Sequence, residues 1–410
     1  MVIDHLRSKH PKLTYEAFNI IQSGKDLKVT FEFTLEPDIK FNPILILPNS
    51  SRDGIENLVF NLGMVELISY WKVACPPEII IKAGYLSDEQ IKFWKNLLLK
   101  GLGEFFYTNK IDFTAPDFVN FEIASHMSSG KPFAGQLKDR DLVLVGGGKD
   151  SAVTLEAVAN SGKEFNCLLL NPTKAAIDIS RIGGCKNPII IKRTIDPKLL
   201  ELNTKGYLNG HTPFSAYLAF VSTLSAHLYD FKNIMVSNEA SSNEANLNWM
   251  GSEINHQYSK TSEFEKDFRK YSKKYLSISS NYFSFLRRLG EIQIAKSFSK
   301  MPKYFSVFRS CNKDSKTNSW CRKCAKCLST YLVLHPFLGK ETEEIIGGDL
   351  LNDKALASIM SQLLRKDKHI KPFECVLSVE ETKTAISLGI DRAKKDGQKI
   401  PQLLGAFSGT

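Results

Sequence analysis

The stretch Leu142-Val-Leu-Val-Gly146-Gly147-Gly148-Lys149-Asp150-Ser151-Ala-Val-Thr-Leu-Glu156 passes from an apolar run through three glycines into a second apolar-rich segment. The uninterrupted apolar run predicts a buried strand, and the segment after the glycines predicts a helix. Glycines at such a junction let the backbone approach an anion closely, and the first amides of the helix point toward it. The sequence therefore predicts a phosphate-binding turn between a strand and a helix.

Strands and helices alternate along the chain around this turn. The predicted elements are the strands Asp141–Val145, Phe165–Leu170, Pro188–Ile191 and Asn233–Val236, and a helix over Pro213–Leu228. Continuous apolar strands that alternate with helices are typical of a parallel sheet covered on both faces. The predicted fold class is therefore α/β, a doubly wound parallel sheet, with ligands at the carboxyl ends of the strands.

The residues before about 135 follow a different pattern. They predict the strands Leu13–Ile20, Leu27–Leu35, Pro43–Leu47 and Glu78–Ile81, a turn and helix cap at Asn49–Asp53, and the helices Ile55–Trp71 and Ser87–Leu102. Strands followed by helices indicate a separate α+β domain. We therefore predict three segments: an N-terminal α+β domain (1–135), an α/β domain (140–305) and a cysteine module with a helical region (306–410). A linker is predicted over 116–140.

The basic charge of the chain is concentrated in one segment. The formal net charge is +10, and the content of 43% hydrophobic and 24% charged residues is that of a folded protein. Residues 251–330 carry 17 basic against 6 acidic residues, whereas residues 1–140 carry 16 against 17. A basic segment favours an anionic partner, either nucleic acid or small anions. No recognised RNA-binding module accompanies it, so the sequence favours small anions.

The chain has no apolar run of the length that a membrane span or a signal peptide needs. Its stretch without formal charge, Gly206–Tyr229, is interrupted by Asn209, His211 and Pro213, and its apolar part is too short for a bilayer. The first ten residues lack the apolar core of a signal peptide. We expect a buried helix over this stretch, a cytoplasmic protein and no membrane partner.

Four of the eight cysteines are clustered with the spacing C-x9-C-x2-C-x2-C. They are Cys311, Cys321, Cys324 and Cys327. Two residues between thiolates suit tetrahedral zinc, and four thiolates fill a structural site completely. An iron–sulfur site and free thiols are the alternatives. The sequence favours structural Zn²⁺, whereas Cys75, Cys167, Cys185 and Cys375 are expected to be buried free thiols.

Two common phosphate-binding motifs do not fit the glycine turn. A Walker A loop needs Gly at 143 and Ser or Thr at 150, where this chain has Val143 and Asp150. A dinucleotide fingerprint needs Gly or Ala near Ser151. The turn resembles instead the pyrophosphate (PP) loop of the ATP pyrophosphatase superfamily, Ser-Gly-Gly-x-Asp-Ser, with Gly146 in place of the first Ser.

This resemblance implies a HUP-like fold and cleavage of ATP to AMP and diphosphate, with Mg²⁺, during adenylation of a substrate oxygen. The implied cofactor-binding residues are Gly146, Gly147, Gly148, Lys149, Asp150 and Ser151, with Asn171 near adenine at the end of the second strand. Lys149 or Asp150 is expected to handle charge and Mg²⁺. The absence of a serine at Gly146 removes one hydroxyl ligand for phosphate.

Polar residues cluster after the strand Asn233–Val236, where an open α/β sheet binds its ligands. The candidate substrate-binding residues are Asn238, Ser241, Asn255 and Gln257, and the candidate acid/base residues are Glu239, His256 and Lys260. The run Lys266–Lys274 is expected to be a solvated helix face, because acidic residues interleave with the basic ones.

Longer motifs resemble those of UDP-N-acetylmuramoyl-L-alanyl-L-glutamate epimerases (the MurL family). They are Ser69–Pro76, Gly101–Asn109, Val145–Ser151, Ser237–Ser241, Glu253–Lys260, Trp320–Cys327 and Phe373–Cys375. The resemblance implies ATP-driven inversion of the terminal L-Glu of a UDP-sugar peptide in peptidoglycan precursor synthesis. In this hypothesis an acid/base pair drawn from Glu239, His256 and Lys260 moves the α proton, with Asp150 at the ATP. Cys185 is a weaker candidate.

Three alternatives remain at this point. The PP-loop and the cysteine spacing also occur in 7-cyano-7-deazaguanine synthases, so another ATP-dependent ligase or amidating enzyme is possible on sequence grounds. The basic segment allows a tRNA-modifying or RNA-binding protein, which would bind with a steep salt dependence. A non-catalytic nucleotide-binding scaffold is disfavoured, because Asp150 and Ser151 are intact.

Overall fold

The computed structural model of the chain describes residues 2–50, 54–125, 130–366 and 369–409. Its strands are β1 (Lys12–Ser23), β2 (Asp26–Leu35), β3 (Ile39–Phe41), β4 (Ile44–Leu47), β5 (Glu78–Ile81), β6 (Asn120–Ile123), β7 (Asp141–Leu144), β8 (Phe165–Leu170), β9 (Ile189–Thr194), β10 (Asn233–Val236), β11 (Leu247–Trp249), β12 (Ser252–Ile254) and β13 (Asn281–Ser284). Its helices are α1 (Val2–Lys9), α2 (Glu56–Trp71), α3 (Asp88–Gly101), α4 (Gly103–Asn109), α5 (Lys149–Ala159), α6 (Lys174–Ile182), α7 (Pro197–Thr204), α8 (Phe214–Tyr229), α9 (Ser262–Tyr271), α10 (Glu291–Phe298), α11 (Ala325–Leu338), α12 (Glu341–Ile346), α13 (Ala357–Leu363), α14 (Val379–Lys395) and α15 (Gln402–Ala406).

The chain divides into two compact units, each built from three separate stretches. The first unit comprises residues 1–142, 189–234 and 248–283, and the second comprises 143–188, 235–247 and 284–410. The boundaries fall inside the strands β7, β10, β11 and β13 and directly before β9. Each unit gathers the residues that contact one another, and the stretches of the two units alternate along the sequence. The three consecutive segments inferred from the sequence stay a prediction.

The strands of the first unit are mostly antiparallel. They are ordered β9-β4-β2-β1-β5-β6, with β3 beside β2. The β1/β2, β2/β3, β2/β4 and β4/β9 pairs are antiparallel, and the β1/β5 and β5/β6 pairs are parallel. The β1–β2 hairpin turns at Gly24, whose φ of 62° suits a two-residue turn between Ser23 and Asp26. The arrangement includes β9 from residues 189–194, and the separate N-terminal α+β domain stays a prediction.

Helix α2, predicted over Ile55–Trp71, is buried along nearly its whole length and packs against α8. Gly63 of α2 faces β1, where a Cβ atom would lie 1.9 Å from Tyr15 Oη. The helix can approach the strand so closely only without a side chain at this position. Helix α8 is the buried helix expected within 206–229. Within the described ranges, no helix has the length and apolarity needed to cross a membrane.

A buried ion pair joins α2 to β9. Arg193 Nε lies 2.7 Å from Glu66 Oε2, and Arg193 Nη2 donates to Glu66 Oε1 at 2.8 Å and to Ser69 Oγ at 3.1 Å. The Glu66 side chain is 1% exposed, and the guanidinium also lies over the ring of Tyr217. The bidentate geometry satisfies both charges inside the core of the first unit.

The strands around the glycine turn run parallel. They are ordered β13-β10-β7-β8. Asn281 donates from its amide to Lys232 O, and Phe285 donates in the same way to Val236 O, so β13 and β10 share a direction. The amide of Val145 donates to Leu168 O at the ends of β7 and β8. Helices α5 and α6 flank β8 in sequence, and together with the first unit this gives the mixed α/β architecture that was predicted.

The expectation that Cys167 and Cys185 are free thiols is wrong. They form a disulfide, with their Cα atoms 6.1 Å apart, that joins β8 to the turn after α6. Strand and turn become neighbours only when α6 folds back along the sheet, and no local pattern signals that proximity. A disulfide sulfur carries no thiol proton, so the structure does not support Cys185 as an acid/base residue. Cys75 and Cys375 form no disulfide within the described residues. Cys75 is fully buried, as expected, whereas Cys375 is partly exposed, so the expectation that it is buried is wrong.

Two predicted features fall partly outside the described residues. The cap cluster at 49–53 includes residues 51–53, and the linker over 116–140 includes residues 126–129. Within the described part of that linker, β6 pairs in parallel with β5, so this part is a strand. The linker was predicted from the Pro, Gly and Ser content of the segment. Composition does not show whether a segment pairs with a strand at the edge of a sheet.

We predict that Glu66→Gln lowers the free energy of unfolding by about 3–5 kcal/mol, because Arg193 would stay buried without its carboxylate partner. Urea unfolding measures the change. The matched control is Glu201→Gln, since Glu201 pairs with Lys198 and Lys205 at the surface and should change the stability little. Equal effects of the two substitutions would contradict the role assigned to the buried pair.

Candidate functional site

The glycine turn is held by close backbone contacts within the second unit. Gly147 has a φ of +92°, and a Cβ atom there would lie 2.8 Å from the amide nitrogen of Ala176 in α6. The amide of Gly146 donates to Ser151 Oγ at 3.0 Å, and the carbonyl of Gly147 accepts from the amide of Arg309 at 2.9 Å. Position 147 therefore requires glycine for both its conformation and its space.

Helix α5 begins directly at this turn. Its N-cap is Gly148, and no side chain in the described part of the chain caps the helix there. The first amides of a helix lack partners within the helix and carry the positive end of its dipole. Helix starts of this kind suit anions, and phosphate binding at this turn stays a prediction.

The side chain of Lys149 points into a group of carboxylates and is buried. Its ammonium lies 2.6 Å from Asp150 Oδ1 and also pairs with Glu291 Oε2 at the start of α10. Burial raises the pKa of Glu291 to about 7, the charges of Asp150 and Glu239 add to this, and Lys149 opposes it. We call Lys149, Asp150, Glu239 and Glu291 the Lys149 cluster. Lys149 is occupied by carboxylates, whereas the Asp150 side chain is 30% exposed.

The polar residues after β10 are partly engaged in holding the second unit together. Ser241 Oγ donates to Glu381 Oε1 at 2.7 Å, and Asn238 Nδ2 donates to Ser284 Oγ at 3.2 Å. Both Asn238 and Ser241 are buried. Asn171, at the end of β8, has a φ of 45°. The two substrate-binding candidates therefore have structural partners as well as a position at a strand end.

A second group of titratable side chains lies in the first unit. His256 Nδ1 is hydrogen bonded to Glu104 Oε2, and His211 Nδ1 lies 3.4 Å from the same oxygen. The two imidazole rings are 4.5 Å apart at their centroids. Glu104 lies on α4, His211 before α8 and His256 after β12. We call these three residues the histidine–glutamate cluster; their side chains are 17–19% exposed, so the cluster is accessible to a ligand.

Lys72 fixes the loop that carries His211. Its ammonium donates to Thr212 Oγ1 at 2.8 Å and to the carbonyl of Gly210. Burial lowers the pKa of Lys72 to about 8, Arg193 contributes in the same direction, and Glu104 opposes both. The amine thus loses its proton more readily than a solvated lysine does.

The surroundings of His211 keep its imidazole neutral. Burial lowers its pKa to about 3. The charges of His256, Lys72 and Lys260 act in the same direction. A neutral imidazole retains one nitrogen without a proton, so His211 can accept a hydrogen bond at physiological pH, although its lowered pKa makes it a weak base.

The remaining site candidates of the first unit lie next to His256. Asn255 Oδ1 accepts a hydrogen bond from the amide of Gln257 at 2.7 Å, which shapes the turn that carries His256. Gln257 is 5% exposed, and its Oε1 atom has no hydrogen-bond donor in the described part of the chain. Lys260 ends the short 3₁₀ turn Tyr258–Lys260 that follows. One turn thus carries three consecutive predicted site residues, Asn255, His256 and Gln257.

The four clustered cysteines have the geometry of a metal-binding site. All four sulfur atoms lie within 4.8 Å of one another, and Cys327 Sγ is 3.5 Å from Cys324 Sγ and 3.8 Å from Cys321 Sγ. The amides of Asp314 and Cys321 both donate to Cys311 Sγ at 3.3 Å. Amide donors of this kind stabilise thiolates, so the cluster is suited to bind zinc.

Several residues in or beside the Lys149 cluster and the histidine–glutamate cluster carry no role predicted from the sequence. Glu104 and Lys72 lie inside motifs quoted for the family resemblance, which is the one signal that singles them out. His211 lies in the stretch 206–229, which was predicted to contain a buried helix. Glu291 lies in the basic segment 251–330. The predicted acid/base residues belong to different units: His256 and Lys260 to the first and Glu239 to the second.

Two family models match the chain and together cover most of it. The model described as the MurL N-terminal domain matches residues 6–285, and the one described as the MurL C-terminal domain matches residues 307–406. The second match begins just before the first residue of the cysteine cluster.

Three relatives carry the name UDP-N-acetyl-alpha-D-muramoyl-L-alanyl-L-glutamate epimerase. The chain is 33% identical to the protein of Micromonospora sp. over 395 residues (92% of this chain, 86% of the relative) and 34% identical to that of Salinispora tropica over 416 residues (96% and 90%). It is 32% identical to that of Xanthomonas oryzae pv. oryzae over 356 residues (85% and 78%). With both models matched and each relative covered over most of its length, the chain belongs to the UDP-N-acetyl-alpha-D-muramoyl-L-alanyl-L-glutamate epimerase (MurL) family.

Proposed function

We propose that this protein inverts the α carbon of the terminal L-glutamate of UDP-N-acetylmuramoyl-L-alanyl-L-glutamate and couples the inversion to cleavage of ATP to AMP and diphosphate. The observation that carries the proposal is the similarity, along nearly the whole chain, to three proteins named for the epimerisation. The ATP requirement rests on the resemblance of the glycine turn to a PP-loop. A nucleotide-linked substrate and ATP fit a cytoplasmic enzyme of peptidoglycan precursor synthesis.

The chemistry explains why an epimerase would use ATP. Removing a proton beside an ionised carboxylate builds a second negative charge on the same small group, so the α proton is barely acidic. Adenylation removes the carboxylate charge and gives an activated acyl group whose α proton an ordinary base can abstract. Diphosphate leaves when the carboxylate oxygen bonds to the α phosphorus of ATP. Return of a proton to the opposite face and hydrolysis of the acyl–AMP bond by water then yield the D-Glu product and AMP.

The glycine turn is our candidate for binding the phosphates of ATP. The uncapped amides of α5, the side-chain-free backbone of Gly146–Gly148 and the hydroxyl of Ser151 suit a diphosphate. Asn171 remains the candidate for the adenine contact. Ser151 Oγ already accepts the amide of Gly146, which stiffens the turn at the position where the superfamily has a serine.

Asp150 is our candidate for a Mg²⁺ ligand. Mg²⁺ prefers carboxylate oxygens and phosphate, and when bound it would neutralise charge on the leaving diphosphate. The partial exposure of Asp150 suits this role, whereas Lys149 is enclosed by its carboxylate partners. Lys149 therefore holds Asp150 and Glu291 in place, and Glu239 contributes to the charge of the same cluster.

His256 is our candidate for the residue that moves the α proton. Its hydrogen bond to Glu104 at Nδ1 favours the tautomer with a basic Nε2 and stabilises the imidazolium that forms. His211 lies near the same carboxylate oxygen, and its lowered pKa makes it a weak base, so we assign it a hydrogen-bonding role beside His256. Lys260 supplies positive charge near these imidazoles, which favours the glutamate carboxylate as a ligand.

Four residues remain candidates for substrate binding. Gln257 is the strongest of them, because its buried Oε1 atom can accept a hydrogen bond from an amide of the peptide. Asn255 shapes the same turn. Asn238 and Ser241 lie at the end of β10, and their side chains would contribute only in addition to their structural hydrogen bonds.

We propose that the cysteine cluster holds one structural Zn²⁺. Four thiolates complete a tetrahedral shell and leave no open position, so the ion would stabilise the fold of the loop and take no part in the reaction. The flanking basic residues would balance the negative charge of the thiolate site. They are Lys313, Lys316, Arg322, Lys323 and Lys326.

The first test is incubation of the full chain with ATP, Mg²⁺ and UDP-N-acetylmuramoyl-L-alanyl-L-glutamate, followed by assays for AMP and for D-Glu after hydrolysis. We expect AMP and D-Glu to appear together and neither to form without the peptide substrate. AMP without D-Glu would favour a ligase or amidating enzyme, and D-Glu without ATP consumption would remove the adenylation step.

Two glycine variants serve as matched arms of this test. Gly147→Ala should abolish AMP formation, since the new Cβ would clash with Ala176 at the turn. Gly162→Ala should retain it, because Gly162 also has a positive φ of 72° but has no neighbouring atom within 4 Å. Equal activity in the two variants would remove the glycine turn from the reaction.

We predict that His256→Asn lowers the exchange of the α proton with solvent deuterium about 10²–10⁴-fold, because the base is removed. Glu104→Gln should lower it less, and Glu104→Asp should restore part of it. Substrate-dependent AMP formation should persist in all three. His5→Asn, at an exposed histidine, is the control. Undiminished exchange in His256→Asn would exclude His256 as the base.

We predict about one zinc ion per chain, lost on Cys324→Ser substitution together with a marked fall in thermal stability. Metal analysis by mass spectrometry and thermal unfolding measure the two effects. Cys375→Ser, at a free cysteine outside the cluster, should keep both the zinc and the stability. Stoichiometric iron with visible absorption would show an iron–sulfur site in place of zinc.

A further inference from the structure

A cavity of about 260 Å³ lies at the carboxyl end of α9 in the first unit, in the basic segment noted from the sequence. It is lined mainly by Arg269, Lys270, Ser272, Lys273, Ile278 and Ser280. We call it the basic pocket. Neither the proposed ATP site nor the histidine–glutamate cluster includes any of these residues.

The cations of the basic pocket differ from their neighbours in lacking acidic partners. Lys274, the next residue, pairs with Glu89. Arg269, Lys270 and Lys273 have no carboxylate of the described chain within ion-pair distance, and no acidic residue lines the pocket. Three positive charges around one cavity repel one another, and an anion bound there would relieve the repulsion. The acidic residues that interleave with the basic ones along α9 do not line the pocket.

Two serine hydroxyls of the pocket are buried without partners. Ser272 is 4% exposed, and its Oγ atom has no hydrogen-bond partner in the described part of the chain. The buried Oγ atom of Ser280 is in the same situation. Ser272 begins the π-helical turn Ser272–Leu276, a local widening that occurs frequently at functional sites. Buried hydroxyls without acceptors favour a ligand that supplies acceptor oxygens.

From these observations we propose that the basic pocket binds the diphosphate of a nucleotide-sugar substrate. A guanidinium offers paired N–H groups that match phosphate oxygens, two ammonium groups add charge, and two hydroxyls donate hydrogen bonds. Ile278, 52% exposed at the rim, offers an apolar surface to the adjoining sugar or base. The proposal rests on the function proposed above for its choice of a UDP-linked substrate, since the same chemistry would accept other phosphates.

The position of the basic pocket suits the length of that substrate. Helix α9 starts just after Lys260 and ends at Tyr271, and ten residues of helix rise about 15 Å. The extended substrate spans about 15 Å from its second phosphorus to the glutamate α carbon, by standard bond lengths. A diphosphate held at the carboxyl end of α9 therefore leaves enough chain for the glutamate to reach the residues before its start.

Calorimetric titration of the full chain with UDP, UMP, uridine and inorganic diphosphate tests the pocket directly. We expect UDP to bind more tightly than UMP, and uridine not to bind measurably. Arg269→Gln and Lys273→Gln should each weaken UDP binding about tenfold, and Ser272→Ala a few fold. Lys266→Gln, at an exposed lysine of α9 outside the pocket, should leave it within twofold. Unchanged binding in the pocket variants, or an equal loss in the control, would overturn the proposal.

Kinetics separates this proposal from the proposed function. If the wild-type protein epimerises the UDP-linked substrate, Lys273→Gln should raise its KM about tenfold with kcat within twofold. The variant should match the wild type on N-acetylmuramoyl-L-alanyl-L-glutamate, which lacks UDP. An unchanged KM for the UDP-linked substrate would overturn the pocket while leaving the function intact. If the wild type does not epimerise, the function fails and the UDP titrations alone decide on the pocket.

Discussion

The close approach of Gly147 to α6 is the constraint on which the second unit depends. Because the backbone there has no room for a side chain, the turn can lie directly against the start of α6, and its carbonyl can accept the amide of Arg309. Asn318, within the cysteine loop, in turn accepts the amide of Ala175. The glycine turn, α6 and the loop of the cysteine cluster are thus held together by close packing, by one backbone hydrogen bond and by one hydrogen bond to the side chain of Asn318. A thiolate–metal site in that loop would act on the turn through these contacts.

Local features of this fold can be predicted from the sequence, because short-range physics determines them. The apolar run before Gly146 becomes β7, the polar start at Lys149 becomes the first turn of α5, and the spacing of Cys321, Cys324 and Cys327 brings three sulfurs together. The antiparallel hairpin at Gly24 also follows from its own residues. In each case the decisive partners lie within a few residues of one another, so their side-chain pattern carries the information.

Features that join distant stretches could not be predicted in the same way. The histidine–glutamate cluster takes one residue from each of three stretches, and Glu104 and His256 are 152 residues apart in the chain. Glu291 looked like an isolated acid in a basic segment, yet it pairs with Lys149 from the glycine turn. Nothing in the neighbourhood of Cys167 indicates that Cys185 will be its partner. Such pairings depend on how strands are ordered in a sheet, which a single sequence leaves open.

The interleaving of the two units has a consequence for biosynthesis. The last stretch of the first unit ends at residue 283, whereas the second unit begins at residue 143. During translation the first 142 residues therefore emerge long before their partners, and 143–188 is already outside the ribosome when the first unit can close. Neither unit is a contiguous stretch of chain, so a chain that ends between residues 143 and 283 leaves both units incomplete, whereas one that ends after residue 283 shortens only the second. Nascent chains of this protein would spend much of their synthesis with unpaired strand edges, a state in which chaperone binding protects against aggregation.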